Sequence, residues 1–301
     1  MKHHPLGQTD LMVSEIGLGT WVFGGHQWGG SRQQDCLGAF KEALARGINC
    51  VDTAPIYGFG RAEELVGRAL RGHRHKVILA TKCGLVWKGR AVRHDLSRAS
   101  ITREVEASLR RLGTDYIDLY QCHWPDPATE IGETMEALVS LQRQKKIRYI
   151  GVCNFSRDLL EQAARYGPVV SWQGPYSLLN QSAEEVFSCC RQHRMGVLVY
   201  GALGGGVLSG KYSRPCQWAA SDARTFFYPY YRGEAFGRAQ KILEKLREVG
   251  YPNNQTAINW ARSSPDVTTT LVGCRDARQV RDNVAAAKWN LSERLRQWLS
   301  R

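Results

Sequence analysis

Residues 48–82, INCVDTAPIYGFGRAEELVGRALRGHRHKVILATK, decide the fold. An apolar run at 48–53 gives way to a Pro- and Gly-containing turn, an amphipathic segment at 62–70, and a second apolar run at 77–82. Two buried strands joined by one helical segment need a crossover connection, and that makes them parallel neighbours. The same alternation recurs outward from this unit. Runs at 16–18, 116–123, 148–153, 169–173, 196–200 and 269–273 bring the expected strands to eight, and amphipathic segments at 33–46, 100–112, 131–144 and 157–164 supply crossovers. Eight strand-then-helix pairs close more naturally into a barrel than into an open sheet, so the expected class is α/β, a (β/α)8 TIM barrel. One domain spans 1–301 on this reading. An N-terminal β-hairpin is expected before the barrel, with 6–9 and 11–13 as its arms around Asp10, plugging one end.

Four side chains fall at or just beyond the C-terminal ends of those runs: Asp52, Tyr57, Lys82 and His123. In a parallel barrel these ends converge on one mouth. Reduction of a carbonyl needs a proton for oxygen as well as hydride for carbon, so it needs a positioned acid. Tyr57 is the candidate, and a nearby ammonium from Lys82 is expected to lower its pKa. Asp52 would counter the Lys82 charge, and a neutral His123 would donate to the carbonyl oxygen or join the proton relay. Singly, each residue has an ordinary explanation as cap, rim aromatic, strand end or core histidine. Their joint placement is what points to chemistry.

Composition narrows the remaining classes. With 43% hydrophobic and 23% charged residues the chain can bury a sizeable core. The excess of 41 Lys+Arg over 28 Asp+Glu, a net +13, suits an anionic ligand such as a phosphorylated cofactor, or simple solubility. Basic runs at 71–76 and 143–148 lack interleaved aromatics, so no nucleic-acid partner is expected. Nine cysteines without a Cys-x-x-Cys fit reduced thiols, and no signal-like or membrane-spanning stretch is seen, so a cytoplasmic protein is expected. His73, His75 and His94 lack ligand spacing and there is no His-Glu-x-x-His, so no metal is expected. Gly205-x-x-x-x-Gly210-Lys211 is followed by Tyr212 where a P-loop needs Ser or Thr, and no Gly-x-Gly-x-x-Gly opens a helix after the first strand.

The chain resembles the aldo-keto reductases through Gly17-Leu18-Gly19-Thr20-Trp21, Asp52-Thr53-Ala54-Pro55-Ile56-Tyr57-Gly58, Gly113-Thr114-Asp115-Tyr116-Ile117-Asp118-Leu119 and Gly151-Val152-Cys153-Asn154-Phe155. Gly19 to Gly25 and the 201–211 loop are most similar to the bacterial and plant branch with inositol-utilisation reductases and potassium-channel β-subunit relatives. The resemblance implies a barrel that reduces aldehydes or ketones with NADPH, NADH being possible, and Asp52, Tyr57, Lys82 and His123 as a complete catalytic tetrad. It implies cofactor contacts at Thr20, Trp21, Gln27 and Asp52, with Cys153, Asn154 and Gln173 beside the nicotinamide amide and Tyr200 stacked on its ring. The loop Gly201, Ala202, Leu203, Gly204 and Gly206, with Lys211, would hold the pyrophosphate. Gly273, Arg275, Gln279, Asp282 and Asn283 would take the adenosine, Arg275 pairing with a 2′-phosphate.

Cys153 stands where the family usually has serine, Gly201 and Ala202 replace Ser-Pro, and Gly205 replaces a common arginine. A thiol is the weaker hydrogen-bonding group, so nicotinamide affinity is expected to fall. Trp21, Trp87 and Trp124 are the expected walls of a pocket for a small carbonyl or alcohol substrate. The aromatic cluster within 213–233 reads either as a lid or as rim packing. Two rival functions remain on the sequence: a nicotinamide-binding redox-sensing subunit with negligible turnover, against which the intact His123 and Asn154 argue, and a carboxylate-pair hydrolase, for which only Asp52 is suitably placed. Substrate identity and oligomeric state are not legible in these motifs.

Overall fold

The computed structural model describes residues 1–301. The strands in chain order are β1 (His3–Pro5), β2 (Met12–Ser14), β3 (Ile16–Gly19), β4 (Cys50–Asp52), β5 (Ile78–Cys83), β6 (Leu85–Lys88), β7 (Ala91–His94), β8 (Ile117–Cys122), β9 (Ile147–Cys153), β10 (Val169–Pro175), β11 (Gly196–Tyr200) and β12 (Thr269–Gly273). Strands β3, β4, β5, β8, β9, β10, β11 and β12 pair in that order, all parallel, and β12 closes on β3. Each is buried on both faces, as Ile78–Cys83 illustrates, which is why these strands read as continuous apolar runs rather than alternating ones.

The helices are α1 (Gln33–Ala45), α2 (Arg61–Leu70), α3 (Arg98–Leu112), α4 (Ile131–Arg143), α5 (Arg157–Tyr166), α6 (Glu184–Gln192), α7 (Ala223–Phe226), α8 (Gly233–Glu248), α9 (Asn253–Arg262), α10 (Ala277–Val284) and α11 (Glu293–Ser300). Local chemistry starts and stops several of them. Ser97, Ser156 and Asp276 accept from the backbone N–H three residues on and cap α3, α5 and α10, while Gly113 at φ +62° ends α3. The main core lies between strands and helices, with Phe40, Leu79, Ile101, Leu138 and Trp260 all buried.

The N-terminal hairpin exists, but with other arms than the sequence pattern indicates. β1 pairs with β2, Pro5 opposite Met12, and residues 6–11 form the turn instead of a strand. Leu6 N–H donates to Leu11 O at 2.9 Å, and the Thr9 hydroxyl donates to Leu6 O at 2.8 Å. Leu6, Leu11 and Val13 mimic strand alternation because they insert into the barrel floor against Cys50, Ala80, Leu119, Leu198 and Leu271. A second hairpin, β6 with β7, follows β5 and was not expected from the sequence. The stretch 213–233 contains α7 and a single 3-10 turn at Pro229–Tyr231, and it folds over the barrel mouth.

Candidate active site

The four strand-end residues meet at the C-terminal mouth. Lys82, on β5, has no solvent exposure and donates to both Asp52 oxygens at 2.8 and 2.7 Å and to Thr53 O at 2.9 Å. Its Nζ also stands 3.4 Å from the Tyr57 hydroxyl. Asp52, the last residue of β4 and 4% exposed, further accepts from Gln173 Nε2 at 2.9 Å and Gln121 Nε2 at 3.4 Å. A buried ion pair persists when extra hydrogen bonds satisfy its remaining lone pairs, and the two glutamines serve that purpose. Gln121 was missed on the sequence. Its only signal is that it lies on the same barrel strand as the approach to His123.

Tyr57 sits in the turn after β4. Gly24 and Gly58 abut there: a Cβ on Gly58, at φ +67°, would lie 2.5 Å from Gly24 O, and one on Gly24 would lie 2.6 Å from Gly58 N. This close approach brings Trp21 onto Tyr57, stacked at 5.8 Å, while the His123 ring meets the phenol edge-on at 5.7 Å. Asn154 holds φ +61°, a conformation that a non-glycine residue adopts at some cost. Its amide donates to His123 O at 2.9 Å and its oxygen accepts from Tyr200 OH at 2.7 Å, so one strained residue ties β8's end to β11's end.

The electrostatics correct one expectation. Burial pushes the Tyr57 phenol well above its ordinary value, and the Asp52 carboxylate adds to that push. In the resting site burial outweighs the pull of the Lys82 ammonium, which the Asp52 oxygens approach more closely than the phenol does. Tyr57 therefore rests protonated. Burial holds the His123 imidazole well below its ordinary value, with Lys82 and His94 contributing, so the ring is neutral as expected.

One cavity of about 700 Å³ opens above these groups. Asp52, Tyr57 and His123 line it, and Lys82 lies behind them. Of the residues expected at a cofactor, Thr20, Trp21, Gln27, Cys153, Asn154, Gln173 and Tyr200 reach the cavity wall. So do Gly201, Ala202, Leu203, Gly206 and Lys211 on the loop, and Gly273, Arg275, Gln279, Asp282 and Asn283 at the far end. Gly204 does not: it packs against Leu179 and Val207, and Gly205 takes its place on the wall. Trp124 lines the cavity, whereas Trp87 lies outside it, tilted against Phe59 at 5.6 Å; its strand β6 contributes Leu85 instead.

Several of these side chains already have partners within the chain. The Thr20 hydroxyl donates to Asp52 O, Trp21 Nε1 donates to Gln27 Oε1, and the Cys153 thiol donates to Gln173 Oε1 at 3.2 Å. Arg275 Nη2 donates to Trp28 O and tethers that loop to β12's end. Trp28, Arg224, Phe227 and Tyr228 are wall residues that the site expected from sequence lacked, although the last three belong to the aromatic stretch singled out there.

The wall suits a nicotinamide dinucleotide. The backbone N–H groups of Ala202, Leu203 and Gly205 find no acceptor within the chain, and Gly201, Gly205 and Gly206 hold φ of +77°, +68° and +104°. Successive unpaired N–H groups in such a turn form a concavity for phosphate oxygens. Lys211, Arg275 and Arg278 put cations along the same wall. No three His, Cys, Asp or Glu side chains are grouped to hold a metal ion, and no helix is long and apolar enough to cross a membrane.

Residues 15–295 match the model of the Aldo/keto reductase family. The aldo-keto reductase YhdN of Bacillus subtilis is 38% identical over 97% of this chain and 90% of its own. The NADH-specific methylglyoxal reductase of Escherichia coli is 38% identical, covering 97% of this chain and 95% of its own. Among solved structures, a glycerol dehydrogenase from Gluconobacter oxydans superposes with a TM-score of 0.90 at 33% identity, covering 99% of this chain and 94% of that one. On a match spanning nearly the whole sequence and on a shared barrel, the chain belongs to the aldo/keto reductase family.

Proposed function

We propose that this oxidoreductase reduces aldehydes or ketones to alcohols, reversibly, with NADPH as donor and Tyr57 as the general acid. The supporting observation is the Lys82 ammonium, clamped by Asp52 and 3.4 Å from the Tyr57 hydroxyl at the cavity floor. A phenol that rests protonated has a proton to give. Once given, the phenolate lies beside the ammonium, whose own position Asp52, Thr53 and the two glutamines hold without rearrangement. Neutral His123 shares the wall with Tyr57 and offers a ring N–H to the same carbonyl oxygen. A bound nicotinamide supplies the hydride in one direction and accepts it in the other.

Arg275 and Arg278 line the adenosine end, and a planar guanidinium there favours a 2′-phosphate and hence NADPH. The relative named as NADH-specific makes this a choice to be measured. The purified protein, given NADPH or NADH and a panel of carbonyls that includes a small 2-oxoaldehyde, is expected to oxidise reduced nicotinamide, faster with NADPH at limiting cofactor. Tight binding of nicotinamide without turnover on any carbonyl would overturn the reductase reading and favour the redox-sensing subunit.

A further inference from the structure

Four tyrosines line the cavity: Tyr57, Tyr200, Tyr212 and Tyr228. Three of their hydroxyls are engaged, Tyr57 with Lys82, Tyr200 with Asn154 and Tyr212 with Arg224. The Tyr228 hydroxyl has no hydrogen-bond partner in the chain, although the residue is only 8% exposed. Its oxygen opens onto the cavity rather than into the core, so it is free to meet something that enters.

The position of the ring says what that something is. Tyr228 lies along the glycine loop: a Cβ on Gly205 would strike its Cγ at 2.7 Å and its Cδ2 at 2.8 Å, and a Cβ on Gly201 would sit 3.7 Å from its hydroxyl oxygen. The ring thus runs from Gly205 to Gly201, and its hydroxyl ends beside the turn that presents the unpaired N–H groups of Ala202 and Leu203. Trp28 at 5.9 Å and Phe227 at 5.1 Å flank the ring and fix its direction. Burial, with Tyr230 adding to it, holds this phenol above its ordinary value, so it carries a proton and acts as a donor.

We propose that Tyr228 is a cofactor-binding residue whose O–H completes the phosphate-binding turn, donating to the pyrophosphate of the bound dinucleotide alongside the Ala202, Leu203 and Gly205 amides. The proposal rests on the dinucleotide reading given above and extends it to the 213–233 segment. Glycine at 205 is then required twice, for its positive φ and for the room that the Tyr228 ring takes.

The test is a fluorescence titration of wild type and Tyr228→Phe with NADPH, and with 2′-phospho-ADP-ribose, which keeps the pyrophosphate and both riboses but lacks the nicotinamide base. Loss of one hydrogen bond to a charged group is expected to raise both dissociation constants about tenfold. The carbonyl KM, measured at saturating NADPH, is expected to stay within about twofold, since a neutral wall residue is then replaced by one of the same shape. Unchanged dissociation constants, or a raised carbonyl KM with unchanged dissociation constants, would overturn the assignment. Gly205→Ala, which displaces the ring without altering the phenol, is expected to weaken both ligands as well; wild-type affinity in that variant would count equally against it. Failure of the wild type to bind NADPH or NADH would instead overturn the dinucleotide reading itself.

Discussion

At the scale of single residues the site is organised by one buried cation. Lys82 has no contact with solvent and is compensated almost entirely by Asp52, so replacement of the carboxylate removes the group that makes the ammonium tolerable. Asp52→Asn is expected to cost about 3–5 kcal/mol of stability, read as a lowered urea midpoint with an unchanged slope; a midpoint equal to wild type would show that the pair is not a buried ionic clamp. The four residues of this cluster were legible in the sequence because each ends or follows an apolar run. Gln121 and Trp28 were not, because a glutamine within a strand and a tryptophan in a turn carry no local signature of what they face. The direction of the Tyr57 shift was also beyond sequence reasoning, which identifies a neighbouring ammonium but not the depth of burial that outweighs it.

At the scale of elements, β5 carries Lys82 and then turns sharply at Gly84, φ +90°, into the β6–β7 hairpin that contributes Leu85 and Val92 to the cavity wall. Glu104 on α3 receives the Gly84 N–H at 3.0 and 3.2 Å and also accepts from the Ser100 hydroxyl. Burial pushes its carboxyl up to about 7, with Asp95 and Glu63 nearby, despite those hydrogen bonds. A folded-state value above the unfolded one means the folded protein keeps a proton that the unfolded chain releases. The stability contributed is therefore full below the unfolded value of 4.5 and is lost as pH rises through about 7. Glu104→Gln keeps an acceptor for Gly84 but cannot ionise, so above pH 7 it is expected to be more stable than wild type by about 2–3 kcal/mol. Equal stability of the two proteins in thermal melts on both sides of that range would refute the shift. The eight barrel strands were legible to within about two residues because burial on both faces makes them apolar throughout. The β6–β7 hairpin was not, since its few apolar residues, Leu85, Val86, Trp87 and Val92, are interrupted by Lys88, Arg93 and His94 and make no run long enough to read, and Trp87 reads as a pocket wall on aromatic character alone.

At the scale of the whole molecule, the barrel separates two tasks. Its floor is sealed by Leu6, Leu11 and Val13 from the N-terminal hairpin, while its mouth is walled by the 213–233 segment and the β6–β7 hairpin. Phe227 meets Trp21 edge-on at 5.2 Å, so the aromatic segment reaches the ring that stacks on Tyr57. Length and alternation made this architecture legible, but the hairpin's register was lost because plug residues and strand residues share the same apolar pattern. Everything at the mouth converges on the Tyr57 hydroxyl. Its removal in Tyr57→Phe leaves the ring stacked on Trp21 and the Asp52–Lys82 clamp intact. The most direct measurement is kcat for carbonyl reduction by that variant, paired with its NADPH dissociation constant. A fall in kcat of about a hundredfold to ten-thousandfold with the dissociation constant preserved is the outcome expected of a general acid, and reduction at the wild-type rate would contradict it.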